Sequence, residues 1–183
     1  MLLDLLIVGV VGAVVYVKIW KPTREKQFQL QVEMTAAWKG ICSHIRARQN
    51  AAARMLEIAF ALKPGEPFVK ALSAVLDEQT VRLDDVQQVA SREDTFLGVL
   101  AAAESMETAF PALKADARWQ GARQEVAESS QKIAVLRNQY NGAAMVFNNL
   151  AERFPANIIC ALCKTEQVAL FEAPPLKPED LNG

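Results

Sequence analysis

The chain has 183 residues, of which 51% are hydrophobic, so it can bury the core of one domain and carry a short appendage. Its 20 basic and 21 acidic side chains give a formal net charge of -1, which excludes a strongly basic protein that binds nucleic acid through phosphates. Three cysteines are too few for a disulfide framework. Eight glycines and eight prolines are few for an all-β protein and suit long helices.

The most apolar stretch lies at the start of the chain, from Leu2 to Trp20. A helix of that length would extend about 28 Å, close to the hydrocarbon thickness of a bilayer. Asp4 lies at one end, and Lys18 can reach the headgroups at the other. The sequence therefore predicts a single transmembrane helix within an anchor at residues 1–21, with the lipid bilayer as its partner. The anchor core comprises Leu5, Leu6, Ile7, Val8, Gly9, Val10, Val11, Gly12, Ala13, Val14, Val15, Tyr16 and Val17.

A cleaved signal peptide is the alternative interpretation of this segment. Such a peptide begins with basic residues and ends at a small-x-small cleavage site, whereas residues 1–4 lack a basic side chain and residues 17–20 are bulky. An uncleaved anchor is favoured. By the positive-inside rule the N-terminus would lie outside and the rest of the chain in the cytoplasm, because four basic residues follow the anchor core, namely Lys18, Lys21, Arg24 and Lys26.

Helical periodicity dominates the remainder of the chain. Apolar residues recur at alternating steps of three and four over 23–62, with Arg48 as the one polar exception, and again over 66–90. Ser91 resembles an N-cap for a third helix that would end before Pro111. A short helix is expected over 157–170.

The clearest period runs from Trp119 to Phe154 and predicts a long helix that packs as in a coiled coil. The fold class is therefore all-α, an N-terminal transmembrane helix followed by an antiparallel bundle of long helices. The bundle would occupy residues 22–172, and a Pro-rich disordered tail would follow at 173–183. The residues predicted to form the bundle seam are Trp38, Ile41, Ile45, Trp119, Val126, Ile133, Leu136, Tyr140, Phe147, Leu150 and Phe154.

Five short motifs resemble elements of the LemA family, in the family's order and spacing. Ala-Phe-Pro-Ala-Leu-Lys-Ala at 109–115 resembles its YPxLKA signature, and Arg-Asn-Gln-Tyr-Asn at 137–141 resembles its RxxYN element. Residues 147–149, 154–159 and 171–172 resemble its YN, FPxNII and FE elements. The resemblance covers nearly the whole chain, although the stretch that stands at the family's DLIPNLV element lacks its Asp, Pro and Asn.

This resemblance implies a membrane-anchored helical bundle in a bacterial inner or internal membrane, without enzymatic activity and without a cofactor. We expect a scaffold that forms homo-oligomers or binds another membrane or peripheral protein, in membrane organisation or envelope stress. No catalytic residue is implied. Three asparagines in or beside the last long helix, where Asn is unfavourable, are expected to make structural hydrogen bonds, namely Asn141, Asn148 and Asn157.

An alternative function would use metal or thiol chemistry. Cys160 and Cys163 form a CxxC motif, and with Cys42 and His44 they could supply the four ligands of a Cys3His zinc site. Redox activity of a CxxC motif is typical of a βαβ context, which this sequence lacks. The simpler interpretation is that these cysteines are small buried side chains on helices.

Overall fold

The computed structural model describes residues 2–78 and 85–172, except for the side chains of residues 2–6, 78 and 104. All regular structure in these two ranges is helical, without a strand, which confirms the predicted all-α class. The predicted tail at 173–183 lies outside the described residues.

The N-terminal segment is helical but does not form the predicted unbroken span. Helix α1 covers Leu2–Val15, a π-helical turn covers Tyr16–Trp20, and helix α2 follows at Lys21–Leu62. Of the helices that the structure describes, none combines the length and the apolar character needed to cross a membrane. The prediction of one transmembrane α-helix is therefore not supported.

The π-helical turn has a local cause in Pro22. A proline lacks the N–H that would bond back along the helix, and its ring clashes with the carbonyl four residues before it. The helix widens here, so that the Lys21 N–H bonds to the Tyr16 carbonyl. The Thr23 hydroxyl donates to the Ile19 carbonyl at 2.7 Å. Pro22 therefore widens the helix rather than ending it, and the backbone stays right-handed helical at Val15 and Lys21.

Helix α2 pairs with a second long helix, α7, at Ala117–Glu152. Arg48 contacts Ser130, and Arg54 contacts Glu125. The residue further along α2 therefore contacts the residue that comes earlier in α7, so the two helices are antiparallel. A Cβ placed on Gly40 would lie 2.9 Å from Leu136 Cδ1, which marks a close approach of the two helices.

Short helices connect these two long ones. They are α3 at Pro67–Glu78, α4 at Val86–Ala101, α5 at Ala103–Ala109 and α6 at Ala112–Ala115. The helix expected over 66–90 and the N-cap expected at Ser91 are wrong. Asp85 is the N-cap of α4, because its carboxylate accepts the N–H groups of Gln87 and Gln88 at 2.9 and 3.1 Å. Ser91 lies inside α4.

The last helix, α8, covers Ala156–Leu162 and is shorter than the helix expected over 157–170. The Cys163 N–H bonds to Ile159 O, and the following residues to Leu170 are non-helical. Side chains of α7 explain the early end, because Asn148 and Tyr140 bond to the backbone groups of Val168 and Ala169 in place of a helical neighbour.

The chain divides into two compact units. Unit 1 comprises Met1–Trp38 and Asn138–Leu170, and unit 2 comprises Lys39–Arg137 and Phe171–Gly183. The buried apolar side chains of unit 1 include Leu30, Met34, Ala37, Tyr140, Ala143, Ala144, Phe147, Ala156, Ile159 and Cys160. The main core cluster of unit 2 includes Met55, Phe68, Val69, Leu72, Phe96, Met106, Leu113, Trp119 and Val126.

The predicted seam residues are distributed over both units. Leu136, Leu150 and Trp38 are half-buried. Phe154 was expected in the seam, but it is 79% exposed because α7 already ends at Glu152. The buried members are Ile41, Ile45, Trp119, Val126, Ile133, Tyr140 and Phe147.

Candidate functional site

Unit 1 holds its final non-helical segment through side chains of α7. The Asn148 amide donates to Val168 O at 2.9 Å, and its carbonyl accepts the Val168 N–H at 2.8 Å. The Tyr140 hydroxyl donates to Ala169 O at 3.0 Å, and burial raises the pKa of this phenol, so it stays a neutral donor. Two helix side chains therefore bind the backbone of 168–169 much as a neighbouring strand would.

A buried glutamine on α2 holds the start of the same segment. Gln27 Nε2 donates to Cys160 Sγ at 3.0 Å and lies 3.4 Å from Thr165 Oγ1. Its carbonyl oxygen accepts from Arg24 Nη1 at 3.0 Å. Gln27 is only 3% exposed, so these partners are what make its burial tolerable. Cys160 acts here as a packed acceptor within unit 1.

We expect Asn148→Asp to release the segment around Val168. A carboxylate can accept the Val168 N–H but cannot donate to Val168 O, and the two oxygens would face each other. The local opening free energy should fall by about 1–3 kcal/mol, the usual cost of an unpaired buried group. Hydrogen exchange at the Val168 amide measures this. Gln167→Ala is the control. The hydrogen bond that it removes, from Gln167 to Glu152 at 3.3 Å, is exposed to solvent. Equal exchange in both variants would contradict the assignment.

Unit 2 contains a buried ion pair between α2 and α4. Arg48 is 1% exposed and bonds to Glu93, which is 6% exposed. The guanidinium also donates to Ser130 Oγ at 3.3 Å and stands 4.6 Å from the centre of the Phe96 ring. The Arg48 guanidinium therefore links its own helix, α2, to both α4 and α7.

A small cavity of about 100 Å³ adjoins this ion pair. Arg48 Nε meets no hydrogen-bond partner among the described residues. Other cavity-lining residues are Glu93, Asp94, Ser130, Arg137 and Phe171. The cavity has room for a few water molecules and carries both signs of charge, so it has the features of a structural polar centre.

A second buried carboxylate, Glu107 on α5, accepts the Trp119 indole N–H at 2.8 Å and pairs with Arg123. Burial favours the neutral form of Glu107, but the hydrogen bonds from Trp119 and Arg123 and the charges of Arg123 and Lys114 prevail and hold its pKa below the ordinary value. The carboxylate joins α5 to the start of α7, where Asp116 accepts the Arg118 and Trp119 N–H groups at 2.8 and 3.3 Å.

The lowered pKa of Glu107 predicts an acid-dependent contribution to stability. A carboxyl with a depressed folded-state pKa stabilises the fold at pH values above its unfolded pKa of about 4.3, and this contribution is lost as the pH falls through the lower folded value. Urea unfolding at several pH values between 7 and 3 should show a smaller loss in Glu107→Gln than in the wild type. Glu125→Gln, changed at an exposed carboxylate, should retain the wild-type slope. A Glu107→Gln slope equal to that of the wild type would refute this contribution.

The predicted Cys3His metal site does not form. Over residues 2–78 and 85–172, no group of three or more His, Cys, Asp or Glu side chains is arranged to hold a metal ion. None of the three cysteines forms a disulfide, and Cys160 accepts a hydrogen bond from Gln27. Burial raises the pKa of Cys42, which keeps it in the less nucleophilic thiol form. His44 is half-buried on α2.

Several of these polar residues were not predicted from the sequence as a cluster. Arg48 stood out as a break in an apolar stripe, and a serine on the facing stripe, Ser129, is also buried. A polar residue in each of two facing apolar stripes could have indicated a layer of buried polar side chains. Glu93, Glu107 and Gln27 gave no such signal, since each looks like a residue on a solvated helix face.

Unit 2 also presents an open groove of about 550 Å³ beside the turn between α2 and α3. Phe60 lines it and is 55% exposed. Other lining residues are Leu56, Pro64, Val69, Lys70 and Asp77. Apolar side chains make up most of the groove's lining, and Lys70 and Asp77 add charges of opposite sign.

The sequence profile of the LemA family matches residues 37–180. The match covers the greater part of the chain, including α2 from residue 37 onward and the whole of α7. No curated protein matches the sequence.

Proposed function

Since the chain belongs to the LemA family, we propose that it is a non-enzymatic scaffold, anchored to a membrane by its N-terminal segment. Its helical units would present surfaces to further copies of the chain or to another protein at the membrane, in membrane organisation or envelope stress. Two buried ion pairs support this role, because Arg48–Glu93 joins α2 to α4 and Arg123–Glu107 joins α7 to α5.

The observation that carries the proposal is the exposed aliphatic surface of the N-terminal segment. Its side chains are about half exposed or more, from 47% for Val15 to 70% for Val8. Burying one such side chain contributes about 1.5–3 kcal/mol, so leaving the whole set in water is strongly unfavourable. A bilayer would remove that cost. The exposed residues are Ile7, Val8, Val10, Val11, Val14, Val15, Tyr16 and Val17.

The proposed anchor is the whole stretch 2–20 rather than α1 alone. Leu5 and Leu6 belong to α1, and the three small residues of the predicted core, Gly9, Gly12 and Ala13, also lie there. The π-helical turn carries Lys18 with Tyr16 and Trp20, residue types that favour the headgroup region. The basic residues that follow would keep the units in the cytoplasm of a bacterial cell, beside the inner or an internal membrane.

A full-length Val10→Glu/Val14→Glu variant tests the anchor. Two carboxylates in the apolar segment would each cost several kcal/mol in lipid, so the variant should leave the membrane pellet after a carbonate wash while the wild type stays. Val135→Glu is the matched control, because Val135 is a 57% exposed valine on α7. Retention of the double variant with the wild type would reject the anchor.

The scaffold part has a separate test. In mild detergent, mass photometry of the full chain should show species larger than one chain per micelle, or crosslinking in native membranes should recover a partner protein. Phe60→Asp places a charge at the exposed lip of the groove and should reduce these species if the groove is the contact. A strict monomer that crosslinks to nothing would refute the scaffold while leaving the anchor untouched.

A further inference from the structure

Helix α8 is apolar on both of its faces. Ala156, Ile159 and Cys160 are buried in unit 1, whereas Ile158 is 52% and Leu162 is 68% exposed. Ile158 and Leu162 are four residues apart on α8 and therefore share its outer face. Phe154, which is 79% exposed, lies in the turn just before the helix. We call Phe154, Ile158 and Leu162 the outer patch. A helix without a charged residue and with two apolar faces requires a cover on the second face.

The place of α8 identifies that cover. Within unit 1, α8 packs against the π-helical turn Tyr16–Trp20, where the apolar N-terminal segment ends. Tyr16 is exposed and Trp20 half-buried in that turn, and Lys18 and Lys21 are exposed beside it. Aromatic and lysine side chains at the end of an inserted segment lie at the headgroup level. A helix in contact with that turn lies at the same depth.

From this contact we infer that α8 is an interfacial helix, whose outer patch inserts at the boundary between headgroups and acyl chains of the membrane that holds the anchor. The inference rests on the proposed anchor and adds a second membrane contact to it. Basic residues dominate around the turn, where Lys18, Lys21, Arg24 and Lys26 outnumber Glu25, which suits anionic headgroups.

Lipid is a better fit for the patch than a protein partner. Two side chains on a seven-residue helix and one in the turn before it offer much less area than the roughly 800 Å² per partner that a stable protein interface buries. An amphipathic or apolar helix needs only to sink about 5–10 Å into the interface to cover such side chains. The anchor would hold α8 at that depth, so the helix need not bind lipid strongly by itself.

The test places an environment-sensitive fluorescent amino acid at Leu162 in the full chain, bound to vesicles of phosphatidylcholine and phosphatidylglycerol. Insertion into the vesicles should shift the emission to the blue, and lipids brominated near the glycerol end of their acyl chains should quench most of it. The same label at Val135, an exposed position in unit 2, is the reference and should keep its emission. Because both positions are exposed, neither label should disturb the core.

Co-sedimentation with the vesicles separates the outcomes. A chain that sediments while its Leu162 label stays as unquenched as the Val135 label would overturn the interfacial helix and leave the anchor standing. A chain that does not sediment would overturn both. A Leu162 label that is shielded equally without lipid, and crosslinks to a second copy, would replace the bilayer with a protein contact and reject the inference.

Discussion

Arg48→Met should destabilise the protein by about 3–5 kcal/mol, because it leaves the Glu93 carboxylate buried without its cation. The change also removes the Ser130 bond and the cation above the Phe96 ring. Methionine has nearly the length of the arginine stem, so little of the loss would come from an empty space. Urea unfolding followed by helical circular dichroism in mild detergent measures the free energy.

Arg54→Met supplies the matched control, since Arg54 lies on the same helix and also pairs with a glutamate. Its partner Glu125 and Arg54 itself are about half exposed, so that pair contributes only about 0–1 kcal/mol. The double variant Arg48→Met/Glu93→Leu should recover much of the loss, because it leaves no buried charge. If Arg48→Met cost no more than Arg54→Met, the ion pair would not be a centre of stability.

The long helices could be predicted from the sequence because their signal is local and repeats. The apolar steps over 23–62 and 119–154 correspond to α2 at Lys21–Leu62 and α7 at Ala117–Glu152. Pro64 and Gly65, which follow α2 closely, are also a local signal for the end of a helix. The start of α4 could not be predicted from local signals, because Asp85 and Ser91 are both good N-cap residues. Asp85 is the one that caps the helix.

Other features depend on distant residues and could not be predicted this way. The stretch 157–170 is apolar enough for a helix, but Asn148, Tyr140 and Gln27 bind its later residues in another conformation. The structural role expected for the asparagines therefore fits Asn148, and Asn157 accepts the Ile158 N–H at 2.9 Å. The π-helical turn arises from a proline inside a helix that continues, whereas proline is usually a stop.

Trp119→Ala should cost about 3–5 kcal/mol, the range for truncating a fully buried tryptophan. Trp119 is 0% exposed and lies with its ring 6.2 Å from that of Phe68, edge to face. Its loss would open a cavity in the core of unit 2 and take away the indole donor of Glu107. Trp119→Phe keeps most of the ring and loses only the donor, so we expect about 1–3 kcal/mol.

Met145→Ala on the same helix is the control for this series. Met145 is a large apolar residue that is 54% exposed, and its truncation should change stability by about 0.5 kcal/mol or less. The two Trp119 variants also separate packing from hydrogen bonding, because only the loss of the indole donor is common to both. If Trp119→Phe were as stable as the wild type at neutral pH, Arg123 alone would suffice to hold Glu107 ionised, and the tryptophan would act through its volume.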